Sequence, residues 1–210
     1  LFNNLSNLYY LVDRHKYSFW DIFFKKYYNI ESEIGEFIKL GDGTLNVISD
    51  SASTDDTSVL DGTLKINGSF AHSTATVSSG ASLAGAGTVG GIINNGNLEP
   101  GNSIGTLNVS GAVTLNSGSV LVIEVDTAGN NDKIVATGAV TAGGTLRVSP
   151  ASGTYSNGQQ YTIITGSSVS GAFSTVTVLS CSGTASASYG STAITITLSS
   201  CVSSSHFAPN

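Results

Sequence analysis

Three acidic side chains fall in one short segment and are the first candidates for chemistry: Glu124, Asp126 and Asp132. Two carboxyl groups about 5–10 Å apart can act as general acid and base, or as nucleophile, in glycoside hydrolysis. The segment around them has few aromatic residues to stack on a sugar and few long polar side chains to hold one. We therefore interpret Asp132 as a turn residue whose carboxylate binds nearby backbone N–H groups.

Basic side chains are scarce after residue 40, where only Lys65, Lys133 and Arg147 occur. A polysaccharide lyase would need a Lys or Arg base beside calcium, and no acidic trio accompanies these three residues. A surface that tracks phosphates needs clustered Lys and Arg, which the net charge of −6 also disfavours. We expect neither lyase chemistry nor a nucleic-acid partner.

The sequence also contains weak candidates for metal ligands and nucleophiles. The segment 49–58 holds Asp50, Asp55 and Asp56, and clustered carboxylates suit calcium. Their spacing matches neither the EF-hand nor the glycine-rich calcium repeat, so a solvated loop is expected. His72 and His206 lack a convincing Ser and Asp partnership. The sequence predicts no metal site, no cofactor and no catalytic residue, and hence a protein that is not an enzyme.

The chain has two cysteines, Cys181 and Cys201. In an oxidising extracellular setting they could close a loop that stabilises the fold by about 3 kcal/mol. A disulfide and two free thiols are the alternatives.

The elements that would position these residues are short strands. The segment 83–109, LAGAGTVGGIINNGNLEPGNSIGTLNV, contains apolar runs that are too short for helices and are bounded by Gly and Asn. Strands of this kind bury their apolar faces when they stack as successive coils about 4.8 Å apart. This pattern predicts an all-β fold, a parallel β-helix.

A repeated unit supports that prediction. Gly-Thr-Leu-x-Val/Ile begins at residues 43, 62, 105 and 144, which suits coils of about 20 residues. Alternation within the unit places Leu and Val or Ile on one face. Residues 41–198 would then form about seven or eight coils of a solenoid.

Residues 1–40 have a different composition, with many aromatic residues and a single glycine. Ser18 and Asp21 resemble a capping box, and apolar residues recur at helical spacing up to Phe37, so we expect a helix over about 19–39. It could cap the open end of the solenoid, bind a membrane surface or partner, or come from a rearranged or truncated reading frame.

Targeting signals are not evident. No run of eighteen apolar residues occurs, and the N-terminus lacks the pattern of a signal peptide. The chain contains no Met. We therefore expect a fragment or a processed piece of a longer protein.

The motifs GAGTVGG and NNGNLEPGNSIGTLNVSG closely resemble the C-terminal passenger region of bacterial autotransporters (type V secretion). GDGTLNV at 41–47 and DGTLKINGS at 61–69 are similar to that family's passenger-associated strand repeat. The resemblance implies a right-handed β-helix over residues 41–198 and an autochaperone role for residues 83–198. It also implies a partner, an outer-membrane β-barrel translocator, in place of which this chain has a Ser-rich tail at 199–210.

We therefore expect a non-enzymatic stem of a surface protein from a Gram-negative bacterium, located at the cell surface or outer membrane or secreted, that promotes passenger folding and secretion. An adhesin-type binding module for a host or bacterial surface ligand is the alternative. A carbohydrate-active β-helical enzyme is a third hypothesis, and it would require a cleft with convergent carboxylates.

Overall fold

The computed structural model describes residues 36–203, and within that range the chain is all-β, as predicted. The strands are β1 Phe37–Lys39, β2 Thr44–Val47, β3 Thr57–Val59, β4 Thr63–Ile66, β5 Ser69–Val77, β6 Ser82–Gly85, β7 Thr88–Asn94, β8 Asn97–Pro100, β9 Thr106–Val109, β10 Val113–Leu115, β11 Val120–Val125, β12 Lys133–Ala136, β13 Ala139–Ala142, β14 Thr145–Pro150, β15 Gly153–Thr154, β16 Gln159–Thr165, β17 Ser168–Gly171, β18 Thr175–Val178, β19 Thr184–Tyr189, β20 Ala193–Ser199 and β21 Val202–Ser203. No helix long and apolar enough to cross a membrane is found in this range.

Most strands belong to two sheets in which the majority of neighbouring strands run parallel. The larger, sheet A, has twelve strands, and sheet B has seven in the order β18-β14-β11-β8-β6-β4-β2. Each strand of sheet B pairs in parallel with a strand one coil further along the chain, as β2 does with β4 and β4 with β6. Stacked parallel strands of this kind are consistent with a β-helix, and the seven strands of sheet B correspond to seven coils.

The core is built from columns of equivalent side chains. In sheet B the register aligns the second residue of each strand in one inward column, which is Leu in six strands and Val176 in β18. The Leu members are Leu45, Leu64, Leu83, Leu98, Leu121 and Leu146, and all but Leu45 are fully buried. Full burial of one Leu side chain stabilises by about 1.5–3 kcal/mol, so this column is a large part of the driving force.

The coils differ in length more than the sequence repeat predicts. Thr44 aligns with Thr63, nineteen residues on, whereas Ser82 aligns with Asn97 and Thr145 with Thr175. The repeat unit at 105–109 forms β9 in sheet A, while the other three units form β2, β4 and β14 of sheet B. The unit at 105–109 is therefore not equivalent in position to the other three units.

The C-terminal strands depart from parallel stacking. β20 pairs antiparallel with β16 on one side and with β19 on the other, and β15 pairs antiparallel with β21. The alternating segment 192–198 forms most of β20. The expectation of parallel coils throughout 41–198 does not hold for the C-terminal hairpin, which is formed by β19 and β20. Its second strand, β20, pairs antiparallel with β16.

The helix expected over about 19–39 requires a correction at its end. Phe37–Lys39 forms β1, which pairs in parallel with β3. The extended conformation places Lys39 in line with Val59 of the next coil. The remainder of the expected helix lies outside the described residues.

Candidate functional site

Charged side chains gather on the outer face of sheet B. The register aligns Lys65 with Ala84 and Ala84 with Glu99, and it aligns Val122 with Arg147. Burial raises the pKa of Glu99, while the positive charges of Lys65 and Arg147 act in the opposite direction. Two of the three basic residues after residue 40 therefore interact electrostatically with Glu99.

Glu124 is the second carboxyl group on this face. Burial raises its pKa, a hydrogen bond with Ser103 lowers it, and the charge of Glu99 raises it further. Its Oε2 atom is buried and has no hydrogen-bond partner among residues 36–203. Groups with raised pKa values that cluster in this way are candidates for function.

Asp132 is the third carboxyl group, and its side chain is 2% exposed. Its Oδ1 atom accepts a hydrogen bond from the backbone N–H of Gly105 at 2.9 Å, and Oδ2 accepts one from the N–H of Glu124 at 2.8 Å. Burial raises the pKa of Asp132 to about 7, although both hydrogen bonds act to lower it. The interpretation of Asp132 as a residue whose carboxylate binds backbone N–H groups is confirmed.

Gly101 shapes the pocket of backbone around Asp132. Its φ angle is +96°, and a Cβ atom there would lie 2.6 Å from Asp132 Oδ1 and 2.1 Å from the carbonyl oxygen of Ser103. Only glycine fits at such an approach without displacing its neighbours. The turn after β8 thus packs directly on the Asp132 carboxylate.

Asp126, the remaining acidic residue of the segment, points elsewhere. Its Oδ1 accepts a hydrogen bond from the N–H of Asn130 at 2.8 Å, and its Oδ2 accepts one from Asn130 Nδ2 at 2.7 Å. These bonds lower the pKa of Asp126. The structure therefore brings Glu124 and Asp132 together and leaves Asp126 in its own exposed turn.

This geometry limits what the carboxylates can do chemically. Both oxygens of Asp132 accept backbone N–H groups, and the side chain is buried, so it cannot approach a glycosidic oxygen. What the arrangement does is join three segments: the start of β9, β11 and the turn that precedes β12. Its role is to hold neighbouring coils in register.

The other residues considered from the sequence are dispersed. Lys133 lies in β12 of sheet A, and His72 is exposed in β5.

The acidic residues of the segment 49–58 bond to nearby groups of the chain. Asp56 accepts a hydrogen bond from the N–H of Thr74, and Asp55 accepts one from Ser53 Oγ. Within residues 36–203 no group of three His, Cys, Asp or Glu side chains could hold a metal ion. His206 lies outside the described residues.

The two cysteines lie together beneath the C-terminal hairpin. Cys181 and Cys201 have Cα atoms 5.4 Å apart and are joined as a disulfide in the structure. The loop that they close contains β19 and β20. Cys201 is 1% exposed.

Glu99 and Ser103 were not recognised from the sequence. Lys65 and Arg147 occupy the same position of the repeat unit, so their shared outer face could have been inferred from it. Glu99 lies in a strand without the unit, and only the register of β8 places it between them.

No family model matches the chain. The chain is similar to a protein of Serratia marcescens described as an extracellular serine protease, with 38% identity over 128 residues. The similar region covers 60% of this chain and 12% of the length of the Serratia protein.

Proposed function

We propose that this chain is a stem section of an autotransporter-like passenger, a right-handed parallel β-helix that promotes passenger folding and secretion. The observation that carries the proposal is the similarity to the Serratia extracellular protease over 60% of the chain. The parallel coils support it, because the strands of each completed coil offer free backbone N–H and C=O groups to which the next coil can pair.

The proposal places the protein outside the cell of a Gram-negative bacterium, secreted or at the cell surface. The description of the Serratia protein as extracellular supports that location. The disulfide between Cys181 and Cys201 agrees with it, since such bonds persist in oxidising compartments. An outer-membrane β-barrel translocator is the partner that this role requires.

We propose a role without catalysis for this section. The similar region is 12% of the Serratia protein, so the protease activity named for that protein does not transfer to this chain. Asp132 is occupied by backbone N–H groups, and His72 lies exposed on β5. These observations favour a structural role over the carbohydrate-enzyme hypothesis.

The adhesin alternative would be favoured by a contiguous apolar or aromatic patch. The large apolar residues that are exposed within 36–203 come from separate parts of the chain: Ile48, Leu60, Ile93, Leu179, Tyr189 and Val202. None of these observations favours adhesion over the stem role.

The test is a secretion assay in a Gram-negative host. The chain is placed between a reporter domain and an outer-membrane translocator, and the reporter on intact cells is measured by antibody binding and protease accessibility. We compare Leu107→Asp, which puts a charge in the core, with Asn108→Asp on the exposed side of the same strand, β9.

If the folded coils promote secretion, Leu107→Asp lowers the amount of folded reporter at the surface and Asn108→Asp leaves it unchanged. Equal surface display of both variants, with the Leu107→Asp chain shown to be unfolded by its protease sensitivity, would overturn the proposal.

A further inference from the structure

One outer face of sheet A carries a column of hydroxyl side chains. Six strands stack in this part of the sheet, β3, β5, β7, β10, β13 and β17, and each pairs in parallel with the next. The register aligns one outward residue of each strand in a single column, whose members in chain order are Ser58, Thr76, Ile93, Thr114, Thr141 and Ser170. Since neighbouring strands lie about 4.8 Å apart, the column is about 24 Å long. We call this surface the hydroxyl face.

The hydroxyl face lies at the surface of the molecule. Val113, the residue before Thr114, is completely buried, and alternation along the strand therefore directs Thr114 outward. Thr141 and Ser170 are exposed, and Ile93 is 41% exposed although its side chain is large and apolar. These exposures show that no element within residues 36–203 covers the column at these last three positions.

The six strands of the hydroxyl face contain no Asp, Glu, Lys or Arg. Carboxylates approach it at the end formed by β3, where Glu36 accepts a hydrogen bond from Ser58 Oγ and Asp56 accepts one from the N–H of Thr74. The other end is formed by β17, and no charged residue follows Arg147 in the sequence. The face is therefore uncharged along its length, with an acidic border at one end.

This distribution of charge decides how a second copy could lie on the face. The chain carries a net charge of −6, so two copies repel each other wherever their carboxylates meet. A copy laid on the face in the same direction would bring the Glu36 and Asp56 carboxylates of both molecules together. A copy laid in the opposite direction places each acidic end against an uncharged end at β17. The charges favour the antiparallel arrangement.

We propose that a second copy of this chain docks antiparallel on the hydroxyl face and forms a two-fold symmetric dimer. The column is nearly the same in both directions, because it begins with Ser and Thr and ends with Thr and Ser. An antiparallel copy therefore sets Ser58 opposite the partner's Ser170, and Ile93 opposite the partner's Thr114. A surface that matches itself in this way is what a two-fold interface requires.

The dimer is expected to be weak and reversible. Stable protein interfaces bury about 800 Å² of each partner, and a strip about 24 Å long and a few side chains wide covers less. Docking orders these side chains at little cost in entropy, because Thr and Ile are β-branched and have few rotamers. The exposed part of Ile93 supplies apolar surface that is buried beside the two-fold axis.

Self-association is measured on the full-length chain by sedimentation equilibrium over a wide range of concentrations, and we expect a monomer–dimer equilibrium. Ile93→Lys puts two positive charges beside the axis and should raise the dissociation constant by about tenfold or more. The control is Asn108→Lys, which adds the same charge at an exposed position of β9 and should leave the constant nearly unchanged. A monomer at every concentration, or a dimer that both substitutions weaken equally, overturns the proposal.

The antiparallel orientation is tested by mixing two variants. Thr114→Glu also places charges beside the axis and should weaken self-association. Since Ile93 lies opposite the partner's Thr114, the Ile93→Lys and Thr114→Glu chains should associate with each other more tightly than either does with itself. One variant is labelled with a dye and followed by sedimentation with fluorescence detection. A mixture that associates no more tightly than the separate variants overturns the proposal.

A further variant keeps the result independent of any effect on folding, which circular dichroism measures. Ile93→Ser removes the apolar side chain without adding a charge, and it replaces Ile93→Lys if that variant loses β structure. Ile93→Ser should also raise the dissociation constant, and an unchanged constant overturns the proposal. None of these outcomes depends on the secretion assay.

Discussion

The carboxylate of Asp132 accepts a hydrogen bond from the backbone N–H of Gly105, 27 residues earlier in the chain. The same carboxylate accepts the N–H of Glu124 with its other oxygen. One side chain thus satisfies two buried backbone donors in different coils, which a neutral side chain with one acceptor atom cannot do.

Replacement of Asp132 by Asn should destabilise the fold. The amide has one acceptor oxygen, so one of the N–H groups of Gly105 and Glu124 faces an NH₂ donor instead of an acceptor. A buried donor without an acceptor costs about 1–3 kcal/mol. Denaturant unfolding monitored by circular dichroism measures the change, and Asp126→Asn, in an exposed turn, is the control with the smaller loss. An equal loss in the two variants would contradict the assigned role of Asp132.

Stability should decrease as the pH rises from about 4 to about 7. Burial raises the pKa of Asp132 to about 7 in the folded chain, against 3.8 for the ordinary side chain, so the folded state binds a proton that the unfolded state has released. The raised pKa values of Glu99 and Glu124 act in the same direction. Urea unfolding midpoints at several pH values measure the effect.

The control for the pH dependence is Asp132→Asn, which removes one titrating group and should flatten the curve between pH 4 and 7. A midpoint that rises over this range in the unaltered chain would show that the two backbone hydrogen bonds to Asp132 outweigh its burial.

Loss of the disulfide should weaken the C-terminal hairpin. The sequence separation of Cys181 and Cys201 is 20 residues, and closing a loop of this length stabilises by about 3 kcal/mol. Cys181→Ser with Cys201→Ser should lower the unfolding free energy by this order. Non-reducing peptide mapping of the unaltered protein tests whether the bond forms. Free thiols in the protein purified under oxidising conditions would contradict the pairing.

Substitution of Gly85 by Ala should cost more than the same change at Gly80. Both glycines have positive φ angles, which cost an alanine about 1–2 kcal/mol. A Cβ atom at Gly85 would also lie 2.1 Å from the carbonyl oxygen of Ile66, whereas nothing lies within 4 Å at Gly80. Thermal unfolding of the two variants separates the clash from the backbone strain. Equal unfolding midpoints for the two variants would contradict the close approach of Gly85 to the carbonyl oxygen of Ile66.

Local sequence pattern was enough to predict the strands and part of the core. The repeat unit placed Leu64 and Leu146 on one face, and both are completely buried. It did not predict that β20 runs antiparallel to β16, because alternation with a period of two is the same for either direction of pairing. Whether a segment forms a strand is encoded in its local sequence. Whether that strand pairs parallel or antiparallel depends on the loops that connect it to its neighbours.

The surroundings of Asp132 show what a single sequence leaves hidden. Asp132 is an acidic residue in a turn, and the sequence therefore predicted that its carboxylate binds backbone N–H groups. It did not predict that one of these groups belongs to Gly105, because that contact depends on the register between coils. That register follows from coil lengths, and these vary along the chain. Asn67 shows the same limit: the sequence shows an Asn at a corner, and the structure shows its side chain bonded to Asn46 and Asn102 in other coils.

The parallel sheets have a mechanical consequence. Their hydrogen bonds run perpendicular to the strands, and therefore along the stacking axis of the coils. A pulling force applied at the two ends of the stack would load these bonds in series and peel coils away one after another. The segment between Cys181 and Cys201 would not extend while the disulfide remains oxidised, since the bond carries the load past that segment.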